Sequence, residues 1–206
     1  MGNLEFKGKA SVNTVSGILL LCIISLLTAC GGGNEDYSPK PRGYYRIKFP
    51  EHSYQTYQAG CPYSFNYPKY ALIEPDRSPA AKPCWLNMQF PQFNATLHLS
   101  YQPVTSKTEL SQLMEDAHTF AFKHTVKATG IDEGIIHYPD RKIYGIYYTI
   151  DGNAASSAQF YLTDSTRNYL RGALYFNSEP KLDSIQPVLD FVKKDIAVMI
   201  KSFKWK

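Results

Sequence analysis

Histidine and cysteine, the side chains on which most metal and nucleophilic chemistry depends, are scarce in this chain: five and four among 206 residues. The motifs that organise such chemistry are missing as well. There is no Gly-x-Ser-x-Gly elbow, no His-Glu-x-x-His pair and no glycine-rich phosphate loop, which sets aside the hydrolase, zinc-protease and P-loop classes those motifs define. Neither sign of charge dominates. A formal net charge of +4 is too weak to argue for nucleic acid as a partner. No apolar run reaches the ~20 residues needed to cross ~30 Å of hydrocarbon as a helix. What the chain has in quantity is aromatic surface, with 16 Tyr and 11 Phe, and strand-rich cores consume such residues readily. A core role is therefore favoured over a stacking surface for sugars.

The apolar run that does exist, Gly17 to Ala29, follows Lys7 and Lys9 and stops at Cys30. A basic segment, a short apolar segment and small residues before a cysteine read as an export signal, removed from the mature protein. Leu27-Thr28-Ala29-Cys30 resembles the lipobox of bacterial lipoproteins, so residues 1–29 are expected to be cleaved and Cys30 to carry lipid. The myristoylation pattern fails, because Phe6 stands where Ser or Thr is needed. Several acyl chains on one cysteine anchor stably, at ~0.8 kcal/mol per buried CH₂. Residues 30–42, rich in Gly, Pro and polar side chains, have almost nothing to bury and read as a flexible tether. Residues 43–206 then form one globular domain. Removing Lys7, Lys9 and Glu5 with the signal leaves 20 basic and 17 acidic side chains, a mature charge of +3.

Cys22 leaves with the signal and Cys30 is consumed by lipid, so the domain retains Cys61 and Cys84. Two cysteines left over in an exported domain usually pair, and closing a loop of that length is worth ~3.5 kcal/mol in the chain-entropy model. The alternative, half of a zinc site, lacks a histidine at ligand spacing beside either cysteine. Asp116, His118 and His124 are no better a metal cluster. A separation of six residues puts the two histidines on different helix faces, leaving a solvated His118 and a core-edge His124.

Period-two alternation marks strands. In Asn94 to Tyr101, Ala95, Leu97, Leu99 and Tyr101 share one face; in Asn168 to Asn177, Leu170, Gly172, Leu174 and Phe176 oppose Tyr169, Arg171, Ala173 and Tyr175. Lys142 to Ile150 and Ser157 to Thr163 alternate too, with Asp151-Gly152 as a hairpin turn and Asp164 to Arg167 as the next. The proline-broken first half predicts shorter strands at Tyr44 to Phe49, Tyr63 to Tyr67 and Trp85 to Phe90. One helix is predicted from a Ser106/Glu109 capping box, with Leu110, Leu113, Met114, Ala117, Ala121 and His124 on its buried face and Gly130 as its stop. A second is capped by Ser184, with Pro187 in its first turn and a stripe of Ile185, Val188, Leu189, Val192, Ile196, Met199 and Phe203. Lys193, Lys194 and Lys201 suit its solvent side and final turn. The order of elements gives an α+β class with an antiparallel sheet and two main helices.

No catalytic residue is assigned. The candidate ligand or partner surface is the polar set Asp151, Asn153, Ser156, Asp164 and Arg167, where hydroxyls and small residues near an arginine suit an anion; turns need the same residues for backbone reasons, and that reading is favoured. Asp164-Ser165-Thr166 and Asp183-Ser184-Ile185 match the Asp-Ser/Thr-apolar pattern that Bacteroidota O-glycosylate, making Ser165 and Ser184 candidate acceptors, although a capping Ser184 is a poor one. Asn94-Ala95-Thr96 matches an N-glycan acceptor that a bacterial lipoprotein does not use.

Several segments together resemble one family. They are Tyr37 to Tyr44, Cys61-Pro62-Tyr63 with Tyr67-Pro68-Lys69-Tyr70, Cys84-Trp85, Gly152 to Ser157, Leu162 to Thr166 before Leu170 to Phe176, and Phe191-Val192-Lys193-Lys194-Asp195. Nearly the whole mature chain is similar to the gliding motility-associated lipoproteins GldD of the Bacteroidota. The resemblance implies a lipid-anchored cell-envelope protein, on the periplasmic face of the outer membrane, serving gliding and the linked type IX secretion machinery without enzymatic activity. Its implied partners are the membrane, through the lipid, and other gliding or secretion envelope proteins; it implies no cofactor beyond the lipid on Cys30. Sheet and closing helix also resemble the PsbP/Mog1-like sandwich, an analogy of fold alone. The competing function is a domain that binds or hydrolyses envelope glycan or another small ligand.

Overall fold

The computed structural model describes residues 46–177 and 182–206, with side chains in the second stretch from residue 185. The export signal, Cys30 and the tether lie outside these residues. Alternating apolar positions assemble into a seven-stranded antiparallel sheet in the order β3-β4-β5-β9-β8-β7-β6. Its strands are β3 (Leu72–Pro75), β4 (Leu86–Phe90), β5 (Ala95–Pro103), β6 (Ala128–Tyr138), β7 (Ile143–Gly152), β8 (Ser156–Thr163) and β9 (Asn168–Phe176). A second, three-stranded sheet runs β1 (Tyr54–Tyr57), β2 (Tyr63–Pro68), β10 (Lys204–Trp205). Helix α1 is Lys107–Phe122 and helix α2 is Leu182–Ser202. The α+β class with two helices and an antiparallel sheet is the observed one.

One face of the large sheet is covered by α2 and by β2. Leu97, Leu99, Phe160, Leu162, Leu170 and Leu174 from the sheet meet Val192, Ile196 and Met199 from α2 and Tyr63 and Phe65 from β2, all buried. Burying each such side chain contributes about 1.5–3 kcal/mol. Strand β9 bends no side chain out of the way to admit Phe160. A Cβ at Gly172, its cross-strand partner, would fall 2.2 Å from the Phe160 ring. Under the other face lies α1, whose Ala117 and Ala121 pack on Tyr148, Ile150, Tyr161 and Tyr169. Small residues on that helix let the backbone approach the tyrosine layer closely.

Several expectations change. Asp151 and Gly152 are not a two-residue turn: β7 runs through Gly152, and the connection is Asn153-Ala154-Ala155. Gly152 has φ +91, and a Cβ there would meet the amide nitrogen of Thr129 at 2.8 Å, beside the register shift that bends β6. Gly130 stops no helix. It lies in β6, because α1 ends at Phe122 and the chain tightens into a 3-10 turn at Lys123–Val126, where β-branched Thr125 and Val126 resist the α form. Met114 is exposed rather than packed. Ser184 does not cap α2, which already begins at Leu182, and Pro187 is inside the helix, costing the hydrogen bond its N–H would give. Lys193 is half-buried. Residues 46–49 form no strand; Phe49 stacks on Phe191 of α2 instead, 4.6 Å between ring centroids.

Ser106 does cap α1, its hydroxyl accepting from the Glu109 amide at 3.1 Å, while Glu109 accepts from the amide of Thr105 at 2.8 Å. Two hairpins share one turn chemistry. Phe90-Pro91 to Asn94 and Tyr138-Pro139 to Lys142 each place proline at the start of a 3-10 turn and close it with a left-handed residue, φ 49 at Asn94 and 52 at Lys142.

Cys61 and Cys84 are bonded, with Cα atoms 5.5 Å apart. The segment between them pairs with strands outside it, β2 with β1 and β10 and β3 with β4. The prolines sit at strand ends, as Pro68 and Pro75 do. Tyr63 donates its hydroxyl to the Cys84 carbonyl at 2.7 Å and the Trp85 indole N–H donates to the Tyr101 carbonyl at 2.8 Å. The bridge therefore ties the small sheet to the large one. Replacing both cysteines by alanine should cost about 2–5 kcal/mol in urea unfolding, and alkylation of the unreduced protein followed by mass spectrometry should find neither thiol free; two free thiols would contradict the bond.

Candidate functional site

Asp195 occupies a place where α2 has no solvent to offer. It falls three residues after Val192 and four before Met199, on the apolar stripe, and is 1% exposed. A buried carboxylate is costly unless its oxygens are filled with donors. The N-terminal segment supplies them. His52 Nδ1 lies 2.8 Å from Oδ1, the Tyr54 hydroxyl donates to the same oxygen at 2.9 Å, and the Tyr70 hydroxyl donates to Oδ2. Aromatic rings close the surroundings: Phe191 stacks on His52 at 4.2 Å between centroids and packs against Phe93 and Tyr70. Burial, then the hydrogen bond and charge of Asp195, push the Tyr54 hydroxyl up to about 12 and raise that of Tyr70 further. Both phenols stay protonated donors at any physiological pH.

A histidine on a buried carboxylate is half of a general-base arrangement. Here the hydrogen-bond partners of His52 are Asp195 and Tyr54. The cluster attaches the segment that carries His52 and Tyr54 to α2. Tyr70 and Asp195 come from two of the segments that carry the family resemblance, and the fold brings them into contact.

A second concave region lies between α1 and the sheet, a groove of about 350 Å³ walled by Trp85, Tyr101, Asp116, Phe120, Tyr169 and Arg171 among others. Arg171 rests over Phe120, 4.8 Å from the ring centroid, and donates through Nη2 to Oε1 of Gln159. His98 and His124 are held below the usual histidine range, first by burial; the Arg171 charge lowers both, and Asp76 opposes it at His98.

The polar set read from the sequence is not brought together. Asp151 and Asn153 are exposed at one end of β8 and Ser156 is fully buried there. Asp164 and Arg167 stand at its other end, eight residues and so ~25 Å away. Asp164 is spent on its own turn: Oδ1 accepts from the amides of Thr166, Arg167 and Asn168 at 2.9, 2.8 and 3.0 Å, and Oδ2 from the Asn168 side chain at 2.8 Å. Ser165 is exposed at the turn with φ 66. Ser184 lies in α2, with its side chain outside the described residues. His118 stacks on Phe122 at 4.2 Å and sits 3.7 Å from Glu133, while His124 is half-buried. Among the described residues no group of three or more His, Cys, Asp or Glu is placed to hold a metal, and no helix is long and apolar enough to cross a membrane.

Sequence reasoning missed Asp195, Gln159 and Arg171 as special. The signal for Asp195 was available, because an acid on the 3.6-residue apolar stripe of a core helix demands a buried partner.

The gliding motility lipoprotein GldD family matches residues 34–205. The chain belongs to that family. Among curated protein sequences none matches it. Among solved structures, the solution structure of cyanobacterial PsbP (CyanoP) from Synechocystis is similar at 12% identity and a TM-score of 0.42, over 79% of this chain and 98% of that one, a loose likeness. Family membership makes this a gliding motility lipoprotein, associated with the cell envelope.

The Asp164 turn gives a pH prediction. Burial opposes ionisation, but the three backbone amides and the Asn168 side chain outweigh it, taking the carboxyl from its ordinary 3.8 to about 2. A depressed folded value means the ionised turn stabilises the protein above the unfolded value, and the stabilisation is lost as pH falls through the folded one. Asp164→Ala should therefore melt below wild type by a margin that is full at neutral pH and closes as pH falls through this range. A margin that stays constant down to pH ~2 would contradict the assignment.

Proposed function

We propose that this GldD-family chain is a non-enzymatic accessory or assembly factor for gliding motility and the linked type IX secretion machinery, held by lipid on Cys30 at the periplasmic face of the outer membrane. Residues 1–29 act as its signal, 30–42 as its tether and 43–206 as the working domain, which meets other envelope proteins. The observation that carries this reading is the use made of Asp195. The one carboxylate buried among the described residues is filled by His52, Tyr54 and Tyr70, fastening the segment nearest the tether to the core helix. An anchored protein that transmits position needs such a fastening. A glycan-binding or hydrolytic site on the turns at Asp151 and Asp164 gains no support, since β8 holds those turns apart.

Deleting the gene in its host should abolish spreading on surfaces and export of type IX cargo. Reintroduced Cys30→Ala should accumulate as a larger, unprocessed band without labelled palmitate and should not restore spreading. Normal spreading by the deletion strain would overturn the assignment, and a Cys30→Ala protein that is still cleaved and labelled would move the lipid elsewhere.

A further inference from the structure

Among the described residues Arg171 is a cation with no anion in ion-pair contact. It lies in the middle of β9, opposite Ser100 on β5 and Tyr161 on β8, on the face turned toward α1. Nη2 is satisfied by Gln159, but Nε is buried without an acceptor, and so is Nε2 of Gln159, a residue only 1% exposed. Buried N–H groups without acceptors are costly and call for a reason.

Three polar groups of the groove in front of Arg171 are already bonded. Trp85 N–H is committed to the Tyr101 carbonyl, Tyr101 hydroxyl to Asn168 at 2.8 Å, and Tyr169 hydroxyl to the Leu113 carbonyl at 3.0 Å. The aromatic side chains thus offer ring surface, joined by Leu113, Ala117 and Phe120, the last 41% exposed. A volume of about 350 Å³ is within the range of small-ligand sites. Asp116, also on the wall and bonded to Gln112 at 2.9 Å, repels a polyanion such as phosphate and leaves room for a single negative charge.

We infer that this groove binds a ligand carrying one carboxylate on an aromatic or branched apolar body, the carboxylate pairing with the guanidinium of Arg171 and the body lying against Phe120 and Trp85. A free small acid and the C-terminal residue of a peptide share that chemistry. The site is separate from the Asp195 attachment and adds a recognition role to the accessory function.

The test is calorimetric titration of the lipidated full-length protein in detergent micelles with N-acetyl-L-phenylalanine, its neutral amide, and acetyl-Ala-Ala-Phe with a free carboxylate. The acid should bind at least about tenfold more tightly than the amide, as a charge-assisted hydrogen bond implies. Arg171→Met should erase that difference, and Phe120→Ala should weaken both compounds. Tighter binding of the tripeptide than of the single residue assigns the site to a chain end, and the reverse to a free acid; either result supports the carboxylate site. Equal binding of acid and amide by the wild-type protein, or no heat from either acid, overturns it, independently of how any variant folds and of whether the deletion strain spreads.

Discussion

The carboxylate of Asp195 is the interaction on which the arrangement of the rest depends. It sits on the buried stripe of α2, where water cannot solvate it, and His52, Tyr54 and Tyr70 bring donors to it. The charge is therefore both a penalty and a specification. Any packing of residues 46–57 that failed to deliver His52 and Tyr54 would leave the buried anion with Tyr70 alone, a cost large against a typical domain stability of about 5–15 kcal/mol. Satisfying that charge sets where β1 lies, and through the β1–β2 ladder where the small sheet meets α2.

From that attachment the two faces of the large sheet take different tasks. The face under α2 is dry and aromatic, closed by β2 and tied across by the Cys61–Cys84 bond. The face under α1 is only partly covered: the helix packs on Tyr148, Ile150, Tyr161 and Tyr169, and beside it Trp85, Tyr101 and Arg171 line an open groove. One side fastens His52 and Tyr54 to α2. The other keeps a cation that is in no ion pair among the described residues.

Much of this was legible in the sequence where a strand or helix is buried on a clear period. β5 alternates in burial over its first six residues, β8 and β9 are covered on both faces, and the Ser106 box wrote the start of α1 directly. Edge elements were harder. β1 and β3 have four residues each and little to bury, and β6 mixes glycines, acids and an Ile135 that is 85% exposed, so its period is blurred. α2 begins upstream of its expected cap because core packing along Val188 to Ile200 outweighs the proline it must carry. The polar turn residues were prominent in the sequence and proved local, whereas Arg171 was hidden in a regular strand. Its lack of a counter-charge is a tertiary fact that no single strand can display.

Equilibrium urea unfolding of Asp195→Ala against wild type tests the attachment most directly. Removing the carboxylate strands the donors of His52, Tyr54 and Tyr70, and the account predicts a loss of about 3 kcal/mol. A loss below about 0.5 kcal/mol, the size of an ordinary surface substitution, would show that nothing in the fold depends on that charge.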